Sequence, residues 1–205
     1  MPTLLAVRTR AKTIARELRG DHAALITRAI ATAKDGDEQL AFEIFHAAPS
    51  AVATMTVKQV ESLLPVLHDW NSTDCFGCFV SGVAWRDGSI IDKHILGWTR
   101  SKDLWTRRAA LVSTVPLNLD ARGATEPHGE PKRTLAICER LIDDREDMVV
   151  KALSWALRVL ARKDTAAVWA FVAGHEARLA ARVIRETRNK LRTGLKNPKR
   201  HRITR

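Results

Sequence analysis

The sequence predicts an all-α fold of stacked antiparallel helix pairs. Three observations predict it. Apolar residues recur at helical spacing in nearly every segment, strand-like alternation bounded by hairpin turns is almost absent, and the periodic stretches are short and separated by Gly or Pro.

Taken in chain order, helices are predicted over 3–19, 21–34, 36–47, 56–67, 71–84, 88–98, 102–115, 131–142, 146–161, 164–174 and 175–193. The stops are Gly20-Asp21, Asp35-Gly36, Pro49-Ser50, Asp87-Gly88 and Gly174. One long connection, Pro116–Pro131, carries three prolines and two glycines and is expected to be a loop. Short helices joined by short connections, in pairs of about 35–40 residues, are the sequence habit of HEAT-like α-solenoids. A globular helical bundle would satisfy the same periodicity. Such a solenoid curves, and its concave face suits a rod such as duplex DNA. The domain is expected to span 1–193. Residues 194–205 read as a basic, flexible tail, since Lys190–Arg205 holds seven Lys or Arg with Gly194 and Pro198.

The chain has 205 residues, of which 45% are hydrophobic, enough for a real core. No apolar run reaches the length of a membrane span, and Met1-Pro2-Thr3-Leu4-Leu5 lacks the pattern of a secretion signal, so a cytoplasmic protein is expected. Its formal charge of +11 points to a polyanionic partner, nucleic acid first. Three cysteines argue against a disulfide framework. Cys75 and Cys78 form a CxxC with no second pair of ligands at zinc spacing and no strand–helix redox context, so neither a metal nor a cofactor is expected.

Four residues sit oddly on their helices. At about 100° per residue, Trp155 falls away from the apolar face Val149, Leu153, Ala156 and Leu160, among Lys151, Arg158 and Arg162. It either packs against a neighbouring repeat or offers an aromatic plate beside cations. Arg108 shares the apolar face of Leu104, Trp105, Leu111 and Val115. A guanidinium there needs a partner, either a structural carboxylate or the phosphate or carboxylate of a cleft. Adjacent Arg107 points elsewhere, as a surface charge. Asp74 is expected in the first turn of a helix capped by Asn71 or Ser72, heading a row of small residues, Gly77, Cys78 and Ser81, that lets a molecule or another helix approach. Trp70 precedes Asp74 by four residues, as either a core plug or part of the same surface.

These residues fall in three blocks, Trp70-Asn71-Ser72-Thr73-Asp74, Ser101-Lys102-Asp103-Leu104-Trp105-Thr106-Arg107-Arg108-Ala109-Ala110 and Val150-Lys151-Ala152-Leu153-Ser154-Trp155-Ala156-Leu157-Arg158. A weaker one follows in Val168-Trp169-Ala170-Phe171-Val172 and Arg185-Glu186. In order and spacing, from about residue 3 to 193, the set resembles the AlkD-like DNA alkylation-repair glycosylases, a HEAT-like repeat family. The resemblance implies a monofunctional glycosylase that releases cationic alkylated bases, of the 3-methyladenine and 7-methylguanine type, from double-stranded DNA. It implies an aromatic cleft of Trp70 and Trp155, a catalytic carboxylate at Asp74 and a cleft arginine at Arg108. The DNA-binding cations would be Lys102, Arg107, Lys151, Arg158 and Arg185. No cofactor, metal, membrane or obligate protein partner is expected, and the protein is expected to be a monomer. The chain departs from the pattern in having no Tyr, an apparent insertion at Pro116–Pro131, and cysteines at 75 and 78. Some relatives bind unusual DNA structures without excising a base, so a non-catalytic protein for branched or distorted DNA is the alternative. A scaffold for an acidic protein is a third.

Overall fold

A computed structural model of the chain describes residues 2–120 and 129–198. Among these residues every regular element is helical. The helices are α1 (Leu4–Glu17), α2 (His22–Lys34), α3 (Glu38–Ala47), α4 (Pro49–Val52), α5 (Val57–Glu61), α6 (Trp70–Phe76), α7 (Gly82–Arg86), α8 (Asp92–Trp98), α9 (Leu104–Val112), α10 (Pro131–Arg140), α11 (Asp147–Leu160), α12 (Thr165–Gly174) and α13 (Ala181–Thr193). Among the described residues no helix is long and apolar enough to cross a membrane.

The packing has a simple order. Helices α1, α3, α6, α9, α11 and α13 follow one another as neighbours in a row, while α2, α4, α8, α10 and α12 pack against members of that row. The core runs through both sets, from Val7 and Ala11 to Val172 and Val183. Bridges built on carboxylates tie members of the row together. Arg8 Nε donates to Glu43 Oε1 at 3.0 Å between α1 and α3, Arg108 clasps Asp74 between α9 and α6, and Ser154 Oγ donates to Glu186 Oε2 at 2.7 Å between α11 and α13. Helices α11 and α13 run parallel, because Asp147 meets Arg182 at their starts and Ser154 meets Glu186 further along both.

The ends of the elements differ from expectation where proline, glycine or a competing cap intervenes. The helix predicted at 56–67 is split, since Pro65 lacks an N–H and clashes with the preceding turn. It becomes α5, with a Thr56–Gln59 capping box, and a 3₁₀ turn at Leu64–Val66. The helix predicted at 88–98 begins at Asp92, whose carboxylate accepts from Trp85 Nε1 at 2.8 Å. That predicted at 102–115 runs from Leu104 to Val112, capped by Asp103, and that at 175–193 starts at Ala181. Pro49 at the first helical position nucleates the short α4, which the periodicity misses. The expected 116–131 loop opens instead with a buried 3₁₀ turn, Pro116–Asn118. Asn118 ties it to Thr114, Thr134 and the backbone of Glu130, while 121–128 lie outside the described residues. Gly194, at φ 72°, ends α13, and Asn189 Nδ2 then donates to the Lys196 carbonyl, so the first residues of the expected tail fold back. Residues 199–205 lie outside the described set.

The helix predicted at 71–84 is continuous from Trp70 to Arg86, but a π-helical turn, Gly77–Ser81, joins α6 to α7. The turn lies where this helix packs closely on α9 and the residues just after it. A Cβ on Gly77 would stand 2.5 Å from Val112 Cγ1, and one on Gly82 would stand 2.6 Å from both the Gly77 and Ser113 carbonyl oxygens. Ser81 and Ser113 share a 2.6 Å hydrogen bond in the same interface. The row of small residues after Asp74 therefore admits a helix, not a ligand. Gly82→Ala is expected to destabilise the fold by about 1–3 kcal/mol, because backbone on two sides cannot give way. The midpoint of urea unfolding checks it, and an unchanged midpoint would refute the close approach.

Candidate active site

Asp69 caps α6. Its Oδ1 accepts from the Ser72 N–H at 2.7 Å, and Ser72 Oγ answers the Asp69 N–H in a capping box. The expected cap at Asn71 or Ser72 is thus displaced by two or three residues. Asp69 has the extended backbone that a cap requires, whereas Asn71 and Ser72 are already helical. Two consequences follow. Trp70 becomes the first helical residue and stands 56% exposed, so it is not a core plug. Asp74 moves to the second turn, where the helix dipole contributes little. It lies one turn along from Trp70, on the same face.

Arg108 holds Asp74 with a fork. Nε donates to Oδ1 at 2.9 Å and Nη2 to Oδ2 at 3.0 Å, while Nη1 donates to the carbonyl oxygen of Met148 in the first turn of α11. The guanidinium side chain is 6% exposed and the carboxylate side chain 21%. Arg108 is therefore fully engaged inside the protein. Each of its three nitrogens thus has a partner within the protein, and the carboxylate is the more exposed end of the pair. Burial pushes the Asp74 carboxyl above its ordinary value of 3.8, Arg108 offsets part of that rise, and the charge of Asp69 adds to it. Function that needs the carboxylate is expected to be lost as pH falls through a midpoint above 3.8, which a pH profile of kcat would locate. A midpoint at or below the ordinary value would contradict the burial of Asp74.

Two thiols, Cys75 and Cys78, follow Asp74 on the same helix stretch. Burial, helped by nearby carboxylates, pushes Cys75 up to about 11 and Cys78 up to about 12. Both stay protonated and are poor nucleophiles or metal ligands at neutral pH.

Along α11 the residues that reach solvent form a narrow line, namely Asp147, Met148, Lys151, Trp155 and Arg158, with every other residue buried. The line starts at the carbonyl that Arg108 touches. Trp155 follows Met148 by seven residues, on the same face and about 10 Å along the helix. It is half-buried against the core, between the two readings its position allowed. Lys151 pairs with Asp147 at 2.7 Å, and Arg158 Nε donates to Ser154 Oγ at 3.2 Å. Lys102 is exposed just ahead of α9, and Arg185 is exposed on α13. Arg107 is not a free surface charge. Its Nε donates to Asp144 at 2.7 Å, and its Nη1 donates to the carbonyls of Ser101 and Lys102. It braces the start of α9 against the chain before α11, and its side chain is 16% exposed. The structure thus brings Asp74, Arg108 and the head of the Trp155 line together, with Trp70 one turn before Asp74, and it ties Arg107 to Asp144 and to the backbone before α9.

The family model described as DNA alkylation repair enzyme matches residues 3–191. The chain belongs to the DNA alkylation repair enzyme family. Neither the comparison with curated proteins nor that with solved structures returns a match. As a member of this family the protein acts in the repair of alkylated DNA, and its substrate is DNA. The match spans α1 through most of α13, so the Asp74–Arg108 pair and the α11 line both lie within the family's own extent.

Sequence reasoning missed several of the contacts that hold the helix row and the Asp74–Arg108 pair in place. The Met148 carbonyl that fixes Arg108 carries no signal in a sequence. The Arg8–Glu43 and Ser154–Glu186 pairs did leave one, because Glu43 and Ser154 interrupt runs of otherwise apolar, buried residues.

Proposed function

We propose that the protein is a monofunctional DNA glycosylase that hydrolyses the N-glycosidic bond of cationic alkylated bases, of the 3-methyladenine and 7-methylguanine type, in duplex DNA. The observation that carries this reading is an exposed Trp70 one turn from a carboxylate, Asp74, that a buried arginine holds in one orientation. We read the helix row and the helices packed on it as a HEAT-like α-solenoid whose concave, basic face is the row α1, α3, α6, α9, α11 and α13. The domain would end with α13, and the protein would work as a cytoplasmic monomer without cofactor or metal.

An alkylated purine already carries positive charge and leaves without a general acid. As the bond breaks, charge moves to the sugar, giving an oxocarbenium-like transition state. The solvent-facing edge of Asp74 stabilises that charge and orients the attacking water. Because Arg108 fixes the carboxylate before substrate arrives, little reorganisation is needed during reaction. The faces of Trp70 and Trp155 attract the cationic nucleotide, each contact contributing about 0.5–2 kcal/mol. Lys102, Lys151, Arg158 and Arg185 bind phosphates, and affinity falls steeply with salt.

One observation favours a second reading. Both oxygens of Asp74 are engaged by Arg108 in the free protein, as in a structural ion pair, which suits a non-catalytic protein that binds branched or distorted DNA. Incubation of the protein with methylated duplex separates the two. Free 7-methylguanine or 3-methyladenine is expected in the supernatant. Tight binding without release sinks the glycosylase and leaves the second reading.

A further inference from the structure

Glu186 lies on α13 and is 3% exposed, and its hydrogen-bond partner Ser154 is fully buried. Burying a carboxylate is costly unless cations and donors surround it. Here Ser154 Oγ donates to Oε2 at 2.7 Å, and Arg158 Nε, 3.9 Å from the same oxygen, donates to Ser154 Oγ at 3.2 Å. Lys196 Nζ approaches Oε2 to 3.5 Å and Arg185 Nη2 approaches Oε1 to 3.9 Å. The cations come from three segments, α11, α13 and the chain after α13, and the last is pinned by the Asn189 bond to the Lys196 carbonyl. Arg158 spends only Nε on this network, so Nη1 and Nη2 have no partner among the described residues. Side-chain exposure rises outward from the carboxylate, from 18% at Arg158 to 43% at Lys196 and 62% at Arg185. Three cations around one carboxylate leave an excess of two positive charges, and one of the three, Arg158, stands three residues after Trp155, about one turn along α11.

We propose that Glu186 is a positioning residue that organises Arg158, Arg185 and Lys196 into one grip for a backbone phosphodiester of DNA beside Trp155. Through Ser154 it fixes the Nε edge of Arg158 and leaves the two Nη atoms for a ligand, and Lys196, from the chain after α13, is held at the same carboxylate. A preorganised fork matches two phosphate oxygens, while the lysine supplies a point charge. Glu186 touches no DNA itself. The inference rests on the duplex-binding part of the proposed function and is independent of base release.

The sign of one substitution decides it. Glu186→Gln keeps an acceptor for Ser154 but raises the net charge of the protein by one. If Glu186 acted only as a negative charge near DNA, its removal would tighten binding to unmodified duplex. As a positioning residue, its removal weakens binding by about threefold or more at 0.15 M chloride, and makes the negative slope of log K against log salt shallower by about 0.9 for each phosphate no longer held. Equal or tighter binding by a folded Glu186→Gln protein overturns the proposal. Should that variant not fold, a binding cycle of Arg158→Gln and Lys196→Gln decides. Two cations holding one phosphate give a double variant weakened by less than the product of the single effects, and full multiplicativity overturns the grip. Failure of the wild type to bind duplex would instead sink the DNA-binding reading, whereas wild-type binding unaffected by Glu186→Gln sinks the grip alone.

Discussion

Replacing Asp74 by Asn is expected to slow release of 7-methylguanine or 3-methyladenine by about 10²–10³-fold, the loss typical of removing one preorganised electrostatic interaction with a transition state. Duplex affinity should change little, since Asp74 brings no positive charge to phosphate. The substitution preserves shape but removes the negative end that the Asp74–Arg108 pair turns toward solvent. It leaves one oxygen to accept from Arg108 and sets an amide donor against the other guanidinium N–H, which no longer has an acceptor. The assay must therefore be run below the unfolding temperature of the variant, with single-turnover rates compared at equal bound DNA. Equal rates for the two proteins would remove Asp74 from the chemistry whatever the wild type does. A fall in affinity matching the fall in rate would mean that the carboxylate shapes the DNA site rather than the reaction.

How much of this was legible in the sequence depends on the range of the interaction involved. The i,i+4 relation of Trp70 to Asp74 is local, and it survives although the cap lies at Asp69 and not at Asn71 or Ser72. Three neighbouring residues can all cap a helix, and only the backbone of the preceding turn chooses among them. Arg108 on an apolar face announced a buried partner, but which partner depends on the register of α6 against α9, across 34 residues. That register is met at Gly77 and Gly82, where α9 and the residues after it come close and the helix takes a π-helical turn, and no helical periodicity encodes it. Arg107 misled for the complementary reason. At the helix surface its angle is that of a solvated charge, yet Asp144 folds over it from the loop before α11. Charge totals and helical faces can be read one helix at a time. Which cations remain free for a phosphate depends on which carboxylates the tertiary packing brings to them.

The strongest effect on stability should come from breaking the Asp74–Arg108 pair, and the two halves should cost different amounts. Asp74→Asn leaves a guanidinium that is 6% exposed without its counter-ion, and an arginine cannot escape by losing its proton. The expected loss is at the upper part of the about 3–5 kcal/mol typical of breaking a buried pair. Arg108→Met leaves a carboxylate that is 21% exposed. It can hydrate on its open edge or take up a proton, so the loss should be nearer to about 3 kcal/mol, part of it from the unbonded Met148 carbonyl. The double variant, Asp74→Asn with Arg108→Met, strands neither charge and should be more stable than the sum of the single losses predicts, which denaturant titration would measure. Additive losses would show that the pair is not coupled. A second measurement separates positioning from mere support. Arg108 is the group that lowers the Asp74 carboxyl, so removing its cation raises that carboxyl further. The acid limb of any residual base release should then move to higher pH in Arg108→Met. A purely structural arginine would reduce the amount of active protein and leave the limb where it was.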